Sequence, residues 1–151
     1  TRDLLLWRHC EAAPGEPDLG RRLTSKGLKQ AERMASWLDA HLPDTCRILV
    51  SPADRAQQTA VALRRKFRTV PELAPGASVA NVLAAANWPE SREPVLIVGH
   101  QPTLGAVASF LLSGEESYWS VRKGAVWWLS NRAKEGGAAV VLKVVQSPDF
   151  V

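Results

Sequence analysis

Three short stretches of this 151-residue chain are built around uninterrupted apolar cores: "DLLLW" at 3–7, "RILVS" at 47–51 and "PVLIVG" at 94–99. A strand with one wet face alternates apolar and polar residues. A continuous apolar run suits a strand covered on both faces, as in the parallel sheets of α/β proteins. Between the runs the period becomes helical. Thr24 stands where an N-cap would, ahead of Leu28, Ala31, Met34, Ala35 and Leu38, and Pro43 closes that segment. A second helix is expected from about Ala53 to Phe67, with Thr59, Ala60, Leu63 and Phe67 inward, and shorter ones at about 78–86 and 103–113. Near the C-terminus "GAVWWLS" (124–130) and "AAVVLKVV" (138–145) flank the polar, Gly-rich "NRAKEGG", a hairpin signal. The order β-α-β-α-α-β-α-β-β predicts an α/β fold: a three-layer α/β/α sandwich whose mostly parallel central sheet gains antiparallel pairing at its edge. The length suits one domain spanning 1–151.

Composition narrows the function. The hydrophobic fraction of 46% and charged fraction of 23% are those of an ordinary globular protein. No apolar run approaches the ~20 residues of a membrane span, and Asp3 and Arg8 bracket only four or so apolar residues, unlike a signal peptide. A cytoplasmic location with no membrane partner is expected. Cys10 and Cys46 are too few for a disulfide framework, and the histidines (His9, His41, His100) lack metal-ligand spacing. Neither a metal nor another cofactor is expected. The net charge of +4 favours anionic partners, but the basic residues are dispersed and no aromatic-basic motif suggests nucleic acid.

In open α/β sheets ligands bind beyond the carboxyl ends of the strands. There the first strand delivers Arg8 and His9, the second delivers Ser51 with Arg55 just beyond it, and "VLIVG" delivers His100. Singly, each has an ordinary explanation as a surface or loop residue. Together they suit a phosphoryl group. Arginine forks match phosphate oxygens in pairs. Neutral imidazole is nucleophilic near pH 7 and can take the phosphoryl group covalently. A second, cationic histidine would add charge and a donor, and a helix start beside Arg55 would add backbone N–H groups.

These residues sit in motifs: "LLLWRHCEAA", "RRLTSKGLKQA", "ILVSPADRAQQTA" and "VLIVGHQP". Their order and spacing resemble the histidine phosphatase superfamily, and the short forms RHxEA, LTxxG, SPxxRAxQT and GHxP resemble its SixA-type phosphohistidine phosphatases. The resemblance implies a phosphoglycerate-mutase-like fold and a metal-independent phosphatase. It makes His9 the phosphorylated nucleophile, Arg8 and Arg55 the phosphate-holding arginines, and His100 the second pocket histidine. It implies a partner protein bearing phosphohistidine on a phosphotransfer or carrier domain. Thr24 and Gly27 are read as structural, and Ser51 and Thr59 as supports around Arg55.

Two positions depart from the pattern. Cys10 follows the nucleophile where many members carry glycine; it is a rival nucleophile or, more simply, packing. The proton donor found on an insertion in larger relatives has no counterpart, leaving Glu11, Asp18 and Glu72 as candidates, each otherwise an ordinary solvated or capping acid. A phosphohistidine releases imidazole, whose pKa of about 6.5 makes it a far better leaving group than an alkoxide. A site without a dedicated acid therefore suits P–N better than P–O cleavage. The alternatives are a small-molecule phosphomonoesterase on this fold and a noncatalytic phosphoprotein-binding module.

Overall fold

The computed structural model describes residues 2–133 and 139–151. In chain order the elements are β1 (Arg2–Arg8), α1 (Ser25–His41), β2 (Arg47–Val50), α2 (Asp54–Val61), β3 (Arg68–Thr69), α3 (Val79–Ala86), β4 (Val95–Gly99), α4 (Thr103–Ser113), β5 (Val126–Asn131) and β6 (Val140–Gln146). The sheet order is β3-β2-β4-β1-β5-β6. The pairs β1–β4, β2–β4 and β2–β3 are parallel, whereas β5 runs antiparallel to both β1 and β6. β5 is thus the one reversed strand.

The continuous apolar runs do what their composition demands. Leu4, Leu6, Leu49, Val95 and Ile97 join one buried cluster with residues of α3 and α4, including Val82, Val107 and Ala108. Their immediate neighbours Leu5, Trp7, Ile48, Val50, Leu96 and Val98 join a second cluster with Met34, Ala35 and Leu38 of α1 and Ala56 and Ala60 of α2. Alternate side chains of one strand therefore fill two cores, and the sandwich has three layers.

Thr24 caps α1 as the sequence predicts, its hydroxyl accepting from the Gly27 N–H at 3.0 Å. Gly27 has no room for a side chain: a Cβ would lie 2.0 Å from the Glu11 carbonyl oxygen. The remaining local expectations need three corrections. Leu28 faces out, 46% exposed, while the other four predicted positions of α1 are buried. α2 stops at Val61 rather than near Phe67, because two tight turns follow and Arg64 takes a left-handed φ of 55°. Arg65 then reaches back to Asp39 and to the Leu42 and Pro43 carbonyls, fixing the exit. The two-residue strand β3 follows, too short to leave a periodic signal. In the C-terminal hairpin both strands form, and most of the predicted turn falls at 134–138, outside the described residues.

Candidate active site

β1, β2 and β4 run parallel, so their carboxyl ends share one rim. The ladder continues past the strand ends: the His9 N–H donates to the Gly99 carbonyl at 3.1 Å and the Ser51 N–H to the Val98 carbonyl at 3.0 Å. Arg8 is level with Gly99, so His9 and His100 emerge side by side, ring centroids 5.2 Å apart. They form a buried floor, 6% and 4% exposed, beside Arg55 at 5%.

Local bonds set each ring. His9 Nδ1 lies 2.8 Å from the Cys10 carbonyl oxygen. A carbonyl only accepts, so Nδ1 carries the proton and Nε2 keeps its lone pair. His100 Nε2 lies 2.7 Å from the Ser51 hydroxyl, which also accepts from the Ala53 N–H at 3.2 Å. Donation of the hydroxyl proton to Nε2 would put the ring proton on Nδ1, the buried nitrogen that has no partner. Burial, the Cys10 carbonyl bond opposing it, and the Arg55 and Arg8 charges bring His9 down to about pKa 4. Burial, then His9 and the same arginines, brings His100 down to about 3. Both rings are neutral at pH 7, which departs from the expectation of a cationic second histidine: in a desolvated cleft that already holds two arginines, a third cation is too costly.

The arginines are held by backbone. Arg8 Nη1 donates to the Val121 carbonyl at 3.0 Å. Arg55 Nη1 donates to the Asp18 carbonyl at 2.8 Å and Nη2 to Asp18 Oδ2 at 3.2 Å. Thr59 links the two walls: its hydroxyl accepts from the Cys10 N–H at 3.1 Å and donates to the Arg55 carbonyl at 2.8 Å. Thr59 is the support the sequence suggested, whereas Ser51 touches a pocket histidine directly. Among the described residues four buried side-chain nitrogens lack a partner: Arg8 Nε, Arg55 Nε, His100 Nδ1 and, elsewhere, Trp88 Nε1. An unpaired buried donor costs about 1–3 kcal/mol. Three in one cleft mark a site shaped for a compact anion with several acceptor oxygens.

The remaining candidates separate. The Cys10 thiol is fully buried and burial pushes it up to about 12, so it is packing rather than thiolate. Glu11 accepts from the Thr24 hydroxyl at 2.8 Å, a buttress for α1. Glu72 is exposed on the turn Pro71–Leu73 after β3, three strands from β1. Asp18 alone reaches the pocket, through Arg55, and its bonds from Arg21 and Arg55 hold its carboxyl below the usual range. A cavity of about 340 Å³ opens between Val79, Thr103, Glu116 and Tyr118, lined also by Pro102, two residues after His100 in the sequence.

Fold and pocket together define an α/β protein that gathers two arginines and two histidines on one rim of its sheet. Residues 4–78 match the histidine phosphatase superfamily (branch 1). The chain is 33% identical to phosphohistidine phosphatase SixA of Escherichia coli K12 over 121 residues, 74% of this chain and 75% of that one. The structure of a protein histidine phosphatase SixA complexed with tungstate superposes with a TM-score of 0.77 at 25% identity, covering 98% of each chain. The fold is also that of a phosphoserine phosphatase from Entamoeba histolytica, with a TM-score of 0.71 at 16% identity over 97% of this chain and 98% of the other. This chain belongs to the histidine phosphatase superfamily, and within it to the SixA type. It is a phosphatase, and metal independence fits that family.

Proposed function

We propose that this phosphatase hydrolyses phosphohistidine on a partner protein through a covalent phosphohistidine at His9. The observation that carries the reading is the neutral His9 ring, its Nδ1 proton tied to the Cys10 carbonyl, beside the unpartnered donors of Arg8, Arg55 and His100. The Nε2 lone pair forms the new N–P bond as the bond to the leaving nitrogen breaks. Arg8, Arg55 and His100 Nδ1–H meet the phosphoryl oxygens, and the arginines strengthen their hold as charge spreads in the transition state. Water then attacks phospho-His9, and inorganic phosphate leaves. The relatives' activity on phosphohistidine and the SixA complex with tungstate, a tetrahedral oxyanion, support the reading. A single domain acting in the cytoplasm on a phosphotransfer or carrier domain completes the proposal.

The test is turnover of a phosphohistidine-bearing carrier protein by the natural enzyme and by His9→Ala. The natural enzyme should release phosphate and trap an acid-labile phosphoenzyme on quenching. The variant should lose activity by ~10³-fold or more and trap nothing. Preference for a phosphosugar or phosphoserine over phosphohistidine would favour the small-molecule phosphomonoesterase, and a stable complex without phosphate release would favour a binding module.

A further inference from the structure

Among the described residues, Asp18 is the carboxylate that pairs with a pocket residue, its Oδ2 3.2 Å from Arg55 Nη2. It stands on the exposed turn Asp18–Gly20, and its side chain is 54% exposed where that of Arg55 is 6%. The histidines are buried, whereas Asp18 meets Arg55 from the solvent side. An in-line displacement by His9 sends the leaving group away from the floor, toward the solvent side. The Asp18 oxygens there are only partly used: Oδ1 takes Arg21 Nη1 and Oδ2 takes Arg55 Nη2, leaving two of about four lone-pair sites free. Those bonds also keep Asp18 ionised, so it offers no proton to a departing alkoxide.

Resting on the reading of a phosphohistidine substrate, we propose that Asp18 accepts a hydrogen bond from the distal ring N–H of the phosphohistidine and thereby selects P–N over P–O substrates. The His9 Nε2 lone pair forms the new N–P bond. The electrons of the old P–N bond return to the substrate's ring nitrogen, and the proton on its distal nitrogen stays in place. The group departs as neutral imidazole, with no proton to be supplied, and Asp18 remains a carboxylate throughout. A phosphate ester has no such N–H, and its oxygen would leave against a nearby negative charge. Asp18 is thereby a specificity-determining residue. The charges paired with it are Arg21 and Arg55, and its own charge is felt at His100.

The experiment compares kcat/KM for a phosphohistidine peptide and for p-nitrophenyl phosphate in the natural enzyme, Asp18→Asn and Asp18→Glu. Asparagine keeps an oxygen for Arg55 but removes the charge. The ratio of the two rates should fall about tenfold or more in Asp18→Asn near pH 8. The fall should shrink near pH 6, where the substrate ring holds its proton unaided, and Asp18→Glu should recover part of it. Equal losses on both substrates, or a ratio unchanged at both pH values, would overturn the proposal by showing that Asp18 only steadies Arg55. Failure of the natural enzyme to turn over phosphohistidine would instead sink the reading beneath it. Melting curves confirm folding, and Asp18→Ser replaces the asparagine variant should that one unfold.

Discussion

The Ser51 hydroxyl sits 2.7 Å from Nε2 of His100, both side chains buried. This one bond occupies Nε2 and leaves Nδ1 the nitrogen available to a phosphoryl group in the proposed mechanism. Ser51→Ala would free the ring to take the other tautomer and turn the donor away. We expect kcat to drop about tenfold, roughly one transition-state hydrogen bond, with the melting temperature nearly unchanged. Steady-state kinetics beside thermal melting make the check, and an unaltered kcat would show that the ring is held by packing instead.

The two depressed histidines make the fold sensitive to acid. The unfolded chain protonates them near pH 6.5, the folded chain only near 4 and 3. Between those values the unfolded state binds more protons, so stability is full above pH 6.5 and falls as the pH drops toward 4. The loss should reach about 2 kcal/mol per histidine by pH 5. Urea unfolding at pH 7 and pH 5 measures it, and His9→Gln should flatten the slope by about half. Inorganic phosphate should counteract the loss, because a bound anion favours the protonated rings.

Cys10 lies against the chemistry without joining it. With the thiol pushed up to about 12 and no solvent contact, iodoacetamide at pH 8 should leave it unmodified and the enzyme active. Cys10→Ser buries a hydroxyl in an apolar nook and should cost about 1–3 kcal/mol of stability with kcat within a few-fold. A folded but inactive Cys10→Ser would make the thiol the nucleophile.

How much of this was legible in the sequence follows from which forces are local. Uninterrupted apolar runs announce strands covered on both faces, and Leu4 to Trp7 indeed divide between two cores. Thr24 and the span 103–113 were readable because capping and helical periodicity act within a few residues. The motif positions placed His9, Arg8, Arg55 and His100 on one rim. Distant partners hid the rest. Leu28 has the right period but meets solvent, and α2 ends because Arg65 is claimed by α1 and the loop after it. The neutrality of His100 comes first from burial and then from His9 and two arginines delivered by other segments. Nothing near Asp18 in the sequence marks it as the partner of Arg55, since that contact spans 37 residues.

The placement of β1 has a kinetic consequence. It lies between β4 and β5, with Leu4 level with both Val95 and Leu129. β1 is made about ninety residues before β4 and further still before β5, so it gains either neighbour late, and such non-local pairing is slow. Until then Arg8 lacks the Val121 carbonyl and His9 has no His100 beside it. Assembly of the pocket is accordingly among the last events in the folding of a newborn molecule.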